Sequence, residues 1–536
     1  MKKLSLLLLA MVAAFALQAQ WTDDPANNNL IGDHVSSSTI SGEILTVTDV
    51  ETNDTYFHWG SLQRGNGYAP TFQRLTADGT PKWGPNGIRM TQLAFLDHSD
   101  GRAIDITPDH DLIACFSTAD TVTVAVKINT DGNYAWGEQG VLLFGGKGGS
   151  RAEIIAGKDN GAWALGSDSL NLYLQYINAD GSLNPLITIE PATDTTKSTF
   201  GKLVLRDDNS VFLTYENVWI DPNGYSNWGS KELYLTGYTK DGTQNTPTIM
   251  LMPRVDCVTP YCHYVEPDGL GGAYTYSWFS NDTITSVMSI HVFHYDANGN
   301  STISDPYGAT VHSTDHHHNY TSPYVSVDPV SHDLLLTYIK NNQAQHEEQM
   351  YMNRLTSTGE RVWDDGVLVF DNPEDKEIYR PTIAAFEDGS GFAVTYGLGV
   401  SWTQGDPRCH IEAKGYDMNC NELWETELSS SFIMREFAET ISGFHHGQNI
   451  IAWANDDNGD IYAQNFGIDG TMGQGVVGIE EIFSDEEEIV NVVRIYNVNG
   501  QVMQCNDLNE LNIGVYIIQG TTESGKTINK KIVVAK

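Results

Sequence analysis

Apolar and polar positions alternate along this chain in short runs that end at tight turns. That period of two predicts strands and hairpins. One unit recurs eight times: APTFQRLTADG, VTVAVKINTDG, NLYLQYINADG, ELYLTGYTKDG, SIHVFHYDANG, QMYMNRLTSTG, HIEAKGYDMNC and DIYAQNFGIDG. The copies end at Gly79, Gly132, Gly181, Gly242, Gly299, Gly359, Cys420 and Gly470, a mean period of about 56 residues. Four residues before each end stand Leu75, Ile128, Ile177, Tyr238, Tyr295, Leu355, Tyr416 and Phe466. Seven before it stand Phe72, Ala125, Leu174, Leu235, Val292, Met352, Ala413 and Ala463. The two positions differ in parity, which predicts a bulge or bend between them. Glycine suits the positive φ of a tight hairpin, and Cys420 in its place predicts a looser turn.

A second, nearly continuous apolar strand precedes each copy, such as DLIACFS, VFLTY or NIIAW. Continuous apolarity predicts burial on both faces. A further alternating segment stands before most of these, and Trp83, Trp136, Trp363 and Trp424 open the strand that follows the turn. Each repeat therefore reads as four short antiparallel strands. Such sheets repeated radially make a β-propeller. The count favours eight blades over residues 21–476; the alternative is seven with one divergent half-copy. The last copy lacks an outer strand, and Trp21 to Ile31 resembles the outer strands elsewhere. The expectation is that this segment completes the last blade and closes the ring.

Composition narrows what such a ring can do. With 40% hydrophobic residues the 536-residue chain can bury a core, and its formal charge is −39. That charge repels nucleic acid and anionic membrane surfaces. Six cysteines are too few to staple a domain of this size. Cys257 and Cys262 flank a short loop, and Cys409 and Cys420 flank a predicted hairpin arm, so each pair is placed for a local disulfide. Cys115 sits in an apolar strand as core.

The two ends carry addresses. Residues 1–20, MKKLSLLLLAMVAAFALQAQ, have two lysines, an apolar run and a small, polar exit: a secretory signal peptide. No other stretch is long enough to span a bilayer. At the far end, IYNVNGQ with an Asn499–Gly500 turn, the strand GVYIIQ from Gly514 to Gln519, and KKIVVAK from Lys530 to Lys536 resemble the C-terminal sorting domain of type IX secretion substrates. The resemblance covers about residues 490–536. It implies a small β-sandwich-like domain over 491–536, an acidic linker over 477–490, and the type IX machinery as partner. The usual earlier Pro-Asn-Pro segment is replaced here by the acidic FSDEEEIVN. The internal copies resemble repeats of large secreted bacterial propeller proteins. That likeness implies a fold rather than an activity.

Candidate chemistry is sparse. The Asp-Gly turns lack the spacer residue of a sialidase Asp-box and read as structural. TVHSTDHHHNY brings His312, Asp315, His316, His317 and His318 into one long connection. Imidazole and carboxylate suit zinc or nickel, yet consecutive residues rarely aim at one ion. ANDDNGDIY, from Ala454 to Tyr462, has acids spaced closely enough for calcium but lacks the EF-hand pattern. No cofactor motif is present. Arg102, Arg151, Arg254, Arg380 and Arg435 fall near the starts of first strands. There they would ring a channel mouth, with His263 and the histidine loop on the same face, and receive a carboxylate or sulfate. Pairing with local acids such as Asp100, Asp256 and Glu377 is the plainer reading.

Three functions fit these residues. The first is an exported or surface-displayed binding module for a glycan or protein. The second is a glycan hydrolase or lyase, which needs two carboxylates close together at the channel mouth. The third is a structural component of an extracellular layer.

Overall fold

The computed structural model describes residues 21–32, 41–63, 67–90, 95–97, 103–118, 120–190, 193, 195–223, 226–256, 263–280, 287–313, 317–342, 347–372, 376–400, 408–434, 440–441, 443–455, 457–473, 489–497, 514–522 and 527–534. The expected signal peptide, residues 477–488 of the expected acidic linker and the Asn499–Gly500 turn lie outside them, whereas Ile489 and Val490 begin a strand. The chain divides into two compact units, residues 1–476 and 477–536.

The first unit is an eight-bladed β-propeller. Its blades occupy residues 41–89, 104–142, 150–189, 196–256, 264–310, 318–370, 377–434 and 440–467. Within each, sequential strands pair antiparallel from the innermost outward; blade 3, for example, is Ser150–Ala156, Ala162–Ser167, Leu172–Ile177 and Ile187–Ile189. First strands of successive blades touch around most of the ring axis. Blades 1 and 2 are additionally joined by Phe95–Asp97, which pairs with Tyr68 on one side and Thr118 on the other.

The core lies between blades. Second strands such as Leu112–Thr118 and Gln448–Asn455 are buried at every residue, because each sheet is covered on both faces by its neighbours. This explains the parity of the third strand, whose ladder to the second strand lacks the expected bulge. Leu172–Ile177 pairs with Ala162–Ser167 without a register shift, and the equivalent ladders of blades 1, 5 and 8 are equally regular. Residues three apart in the third strand point to opposite neighbours. Leu75 packs toward blade 8 with Trp59 and Ile450, whereas Phe72 packs toward blade 2 with Leu112 and Val126. Both must be apolar. The first strands carry bulges between Ser150 and Glu153, Thr199 and Lys202, Thr321 and Tyr324, and Tyr379 and Thr382. The ladders of third to fourth strands in blades 4 and 7 shift register between Leu235 and Tyr238 and between Gly415 and Tyr416, inside the expected window.

The ring closes as the N-terminal pattern predicts. Asn29–Gly32 is the outer strand of blade 8, pairing with Asp460–Gly467. Tryptophans latch successive blades. The Trp83, Trp136 and Trp424 indole N–H groups donate to Thr130, Ala179 and Ile468 carbonyls in the next blade's turn, at 3.2, 3.0 and 2.7 Å. Trp21 makes the same bond to Ala77 at 2.9 Å across the seam. The turn glycines leave room for these rings: a Cβ on Gly79 would come within 2.8 Å of Trp21. Cys420 does not loosen its turn. It adopts φ +63°, and its N–H donates to Asp417 O at 2.9 Å, as Gly132 N–H does to Asn129 O at 2.8 Å.

Among the described residues the second unit is a single antiparallel sheet of Ile489–Asn497, Gly514–Thr522 and Thr527–Val534 rather than a sandwich.

Candidate functional site

Antiparallel alternation sorts the connections onto two faces. The hairpins after first and third strands share one face, which carries the Asp-Gly turns. The loops after second and fourth strands share the other, here called the connector face. Asp-Gly turns are structural in detail: Asp78 Oδ1 accepts from Thr76 Oγ1 at 2.6 Å and Thr80 N at 3.1 Å.

The first strand of blade 7, Glu377–Ala385, begins at the connector face. Its bulge holds Arg380 at φ +40°, a left-handed conformation that costs a non-glycine residue energy. Bulges re-aim side chains. Here the bulge sets Arg380 in the wall of a cleft of about 290 Å³ spanning blades 5, 6 and 7. Glu348 and Glu377 line the same cleft, with Asn341 and the aromatic rings of Trp278, Tyr324 and Tyr379. Its walls are braced. Glu348 Oε2 accepts from Ile378 N at 3.0 Å, and Tyr379 OH donates to Val400 O at 2.6 Å. Trp278 lies parallel to Tyr264 with centroids 5.9 Å apart, and Lys202 Nζ sits 5.6 Å over the Tyr264 ring. Two carboxylates, a guanidinium, an amide and flat aromatic faces in one groove can hydrogen-bond and stack against a polyhydroxylated ligand.

The other expected residues are distributed differently. Arg102, His316 and Arg435 lie outside the described residues, as do Cys257 and Cys262. Arg151 has its backbone at the blade 3 bulge; its side chain is outside the description. Arg254 is not in a first strand. It sits near the end of the outer strand of blade 4, Gln244–Asp256. That strand and its partner Ser226–Tyr238 both run 13 residues. Their extra length carries Arg254 past the point where a new blade was expected. Its Nε donates to Ser230 Oγ at 2.8 Å, its guanidinium lies 4.3 Å over Trp219, and Asp256 pairs with it at 3.1 Å. The local-acid reading describes Arg254.

His263 is sealed rather than exposed, at 1% accessibility. Its Nδ1 lies 3.2 Å from Glu216 Oε1, and Thr214 Oγ1 lies 2.9 Å from Nε2. Lys231 Nζ donates to Glu216 Oε1 at 3.1 Å. Burial opposes ionisation of Glu216, but Lys231 and His263 outweigh it and hold its carboxyl below the usual range. Burial holds the His263 imidazole below its usual range despite Glu216. The neighbouring void of about 10 Å³ admits no ligand.

The connection from Thr310 to His318 opens on the connector face. His312 stacks on Tyr320 at 4.4 Å, while His317 is exposed and His318 starts the first strand of blade 6. Among the described residues no three His, Cys, Asp or Glu side chains converge as metal ligands. In the acidic turn before Tyr462, Asp457 is taken by Arg408 in a two-pronged pair at 2.7 and 2.8 Å. Cys409 and Cys420 are not bonded to each other. They stand at opposite ends of the strand Arg408–Asp417, a separation no disulfide spans.

No family model and no curated protein matches the chain. Likeness is found among solved structures. A polysaccharide lyase of family PL25, an ulvan lyase, aligns with TM-score 0.43 and 10% identity over 72% of this chain and 95% of its own. Puromycin hydrolase aligns at 0.42 and 12% over 81% and 61%. Prolyl oligopeptidase B from Galerina marginata aligns at 0.43 and 10% over 79% and 56%.

Sequence reasoning found Arg380 but treated Glu377 as its neutralising neighbour, and it missed Glu348, Trp278, Tyr324 and Tyr379. The available signal was the cluster Glu377-Ile-Tyr-Arg380 at a blade start.

Proposed function

We propose that this chain is an exported propeller that binds a saccharide in the connector-face cleft of blades 5 to 7. The observation that carries the reading is the meeting of Glu348, Glu377 and Arg380 with Trp278, Tyr324 and Tyr379 in one groove of about 290 Å³. Export rests on the signal peptide and the C-terminal resemblance to type IX sorting domains. The exported chain would act outside the cell or at its surface. A glycan array probed with mature chain, followed by calorimetry on the hits, tests the reading. Arg380→Ala should weaken saccharide binding about tenfold or more, the loss expected for a charge-assisted contact. An array without hits, or unchanged affinity in Arg380→Ala, refutes it and leaves the structural-component reading.

The presence of Glu348 and Glu377 in one cleft favours a second reading, a hydrolase or lyase acting on the bound glycan. Release of reducing or unsaturated ends from an array hit, lost in Glu377→Gln, would establish it.

A further inference from the structure

We propose that a second connector-face cleft, between blades 2, 3 and 4, binds an oxoanion: a sulfate or carboxylate group. It goes beyond the saccharide reading and rests on different residues. The cleft measures about 550 Å³. Lys147 and Lys197 line it, with the hydroxyls of Ser150, Ser167 and Thr199. In a chain with 69 acids against 30 lysines and arginines, two ammonium groups in one cleft reverse the local sign of charge.

The lysines reach this cleft by construction. Lys147 belongs to the connection GGKGG between blades 2 and 3. A Cβ on Gly149 would lie 1.9 Å from Thr121 O, so the chain passes there only as glycine. Gly148 has φ +71°, where a side chain would also strike Phe144. This path sets the Lys147 ammonium 5.6 Å over the Tyr173 ring, which is itself stacked with Phe144 at 6.0 Å. A cation held on an aromatic face is already positioned before a ligand arrives. Lys197 comes from the first strand of blade 4 and is 9% exposed. The lining includes one carboxylate, Asp168, and its oxygens are engaged. They accept from Leu170 N at 2.8 Å, Asn171 N at 2.9 Å and Tyr173 OH at 2.5 Å. Two lysines, of which Lys147 attracts the Asp168 carboxylate, the Thr199 hydroxyl, and the Ser150 and Ser167 hydroxyls that lie 3.2 Å from each other form a hydrogen-bonding recess with one cation in excess among its lining residues. Charge-assisted bonds to a tetrahedral or planar oxoanion suit it.

Calorimetry on the mature full-length chain tests this with four probes: a sulfated dextran oligosaccharide, its carboxymethylated counterpart, the neutral parent, and inorganic sulfate. The charged oligosaccharides should bind and the neutral parent should not. Saturable binding of inorganic sulfate at comparable affinity would support the same site as one for free anions. Lys147→Gln should weaken the charged probes about tenfold without altering the melting curve, since its side chain is exposed. Lys147→Arg should retain binding. Lys147→Gln/Lys197→Gln should abolish it; should the buried substitution impair folding, the single Lys147 variants decide. Equal binding of neutral and sulfated dextran, no binding of any charged probe, or wild-type affinity in Lys147→Gln would overturn the proposal. The comparison is run in parallel in Arg380→Ala, which removes the contribution of the saccharide cleft of blades 5 to 7, so that the two readings fail separately.

Discussion

Replacing Trp21 by alanine should weaken the ring at its seam. Trp21 is 4% exposed and packs with Ile31, Phe57, Leu75 and Ile450, residues from both sides of the closure. Its indole N–H donates to Ala77 O at 2.9 Å. Truncating a buried tryptophan costs about 3–5 kcal/mol. For a ring of this size the unfolding entropy is roughly 1 kcal/mol per kelvin, so the melting temperature should fall by about 3–5 °C. Trp21→Phe keeps much of the apolar contact and removes one of two donors to Ala77 O, Gln448 Nε2 remaining at 3.2 Å, so it should cost only about 0.5–1.5 kcal/mol. Calorimetry reads both. Hydrogen exchange separates a seam effect from general loosening. Asn29–Gly32 pairs with Asp460–Gly467, so the amides of that strand should lose protection in Trp21→Ala. In Trp136→Ala, which breaks the equivalent bond to Ala179 inside the ring, they should keep it. An unchanged melt with unchanged protection in Asp460–Gly467 would refute the idea that the indole secures the closure.

Cys420→Gly should raise stability by about 1 kcal/mol, because Cys420 occupies φ +63° where seven other copies have glycine; a urea midpoint moving down would show that the sulfur's packing outweighs the strain. Stability should fall as pH drops from 6.5 toward about 4, since burial holds His291 at about 4 and His263 below 6.5, so unfolding takes up protons there. Below 4.5 a further loss should come from Glu216, whose folded carboxyl titrates lower than its unfolded one. Glu216→Gln should remove that last limb and cost about 3–5 kcal/mol at neutral pH by stranding the buried Lys231; an unchanged urea midpoint would count against the pair. Removing residues 477–536 should leave the ring's melting unchanged and stop release from a type IX-competent cell; normal release would defeat the sorting assignment.

Local spacing was enough to read the repeat, the Asp-Gly hairpins, the blade count and the N-terminal strand that closes blade 8. Each depends on residues a few positions apart, whose turn chemistry and apolar period are set by the backbone itself. The same reasoning misjudged the third strands, because one strand serves two neighbouring cores and both parities must then be apolar. It also misplaced Arg254, since the length of the blade 4 outer strand is set by its partner, Ser226–Tyr238. Which charged residues meet was decided only by the ring. Glu348 reaches the cleft from a loop of blade 6 and Arg380 from a bulge of blade 7. His263 and Glu216 are joined across the interface of blades 4 and 5, and Lys147 comes from the connection before blade 3 whereas Lys197 comes from the first strand of blade 4. Such meetings depend on how sheets stack side by side, and that stacking leaves no period along the chain for a single sequence to display.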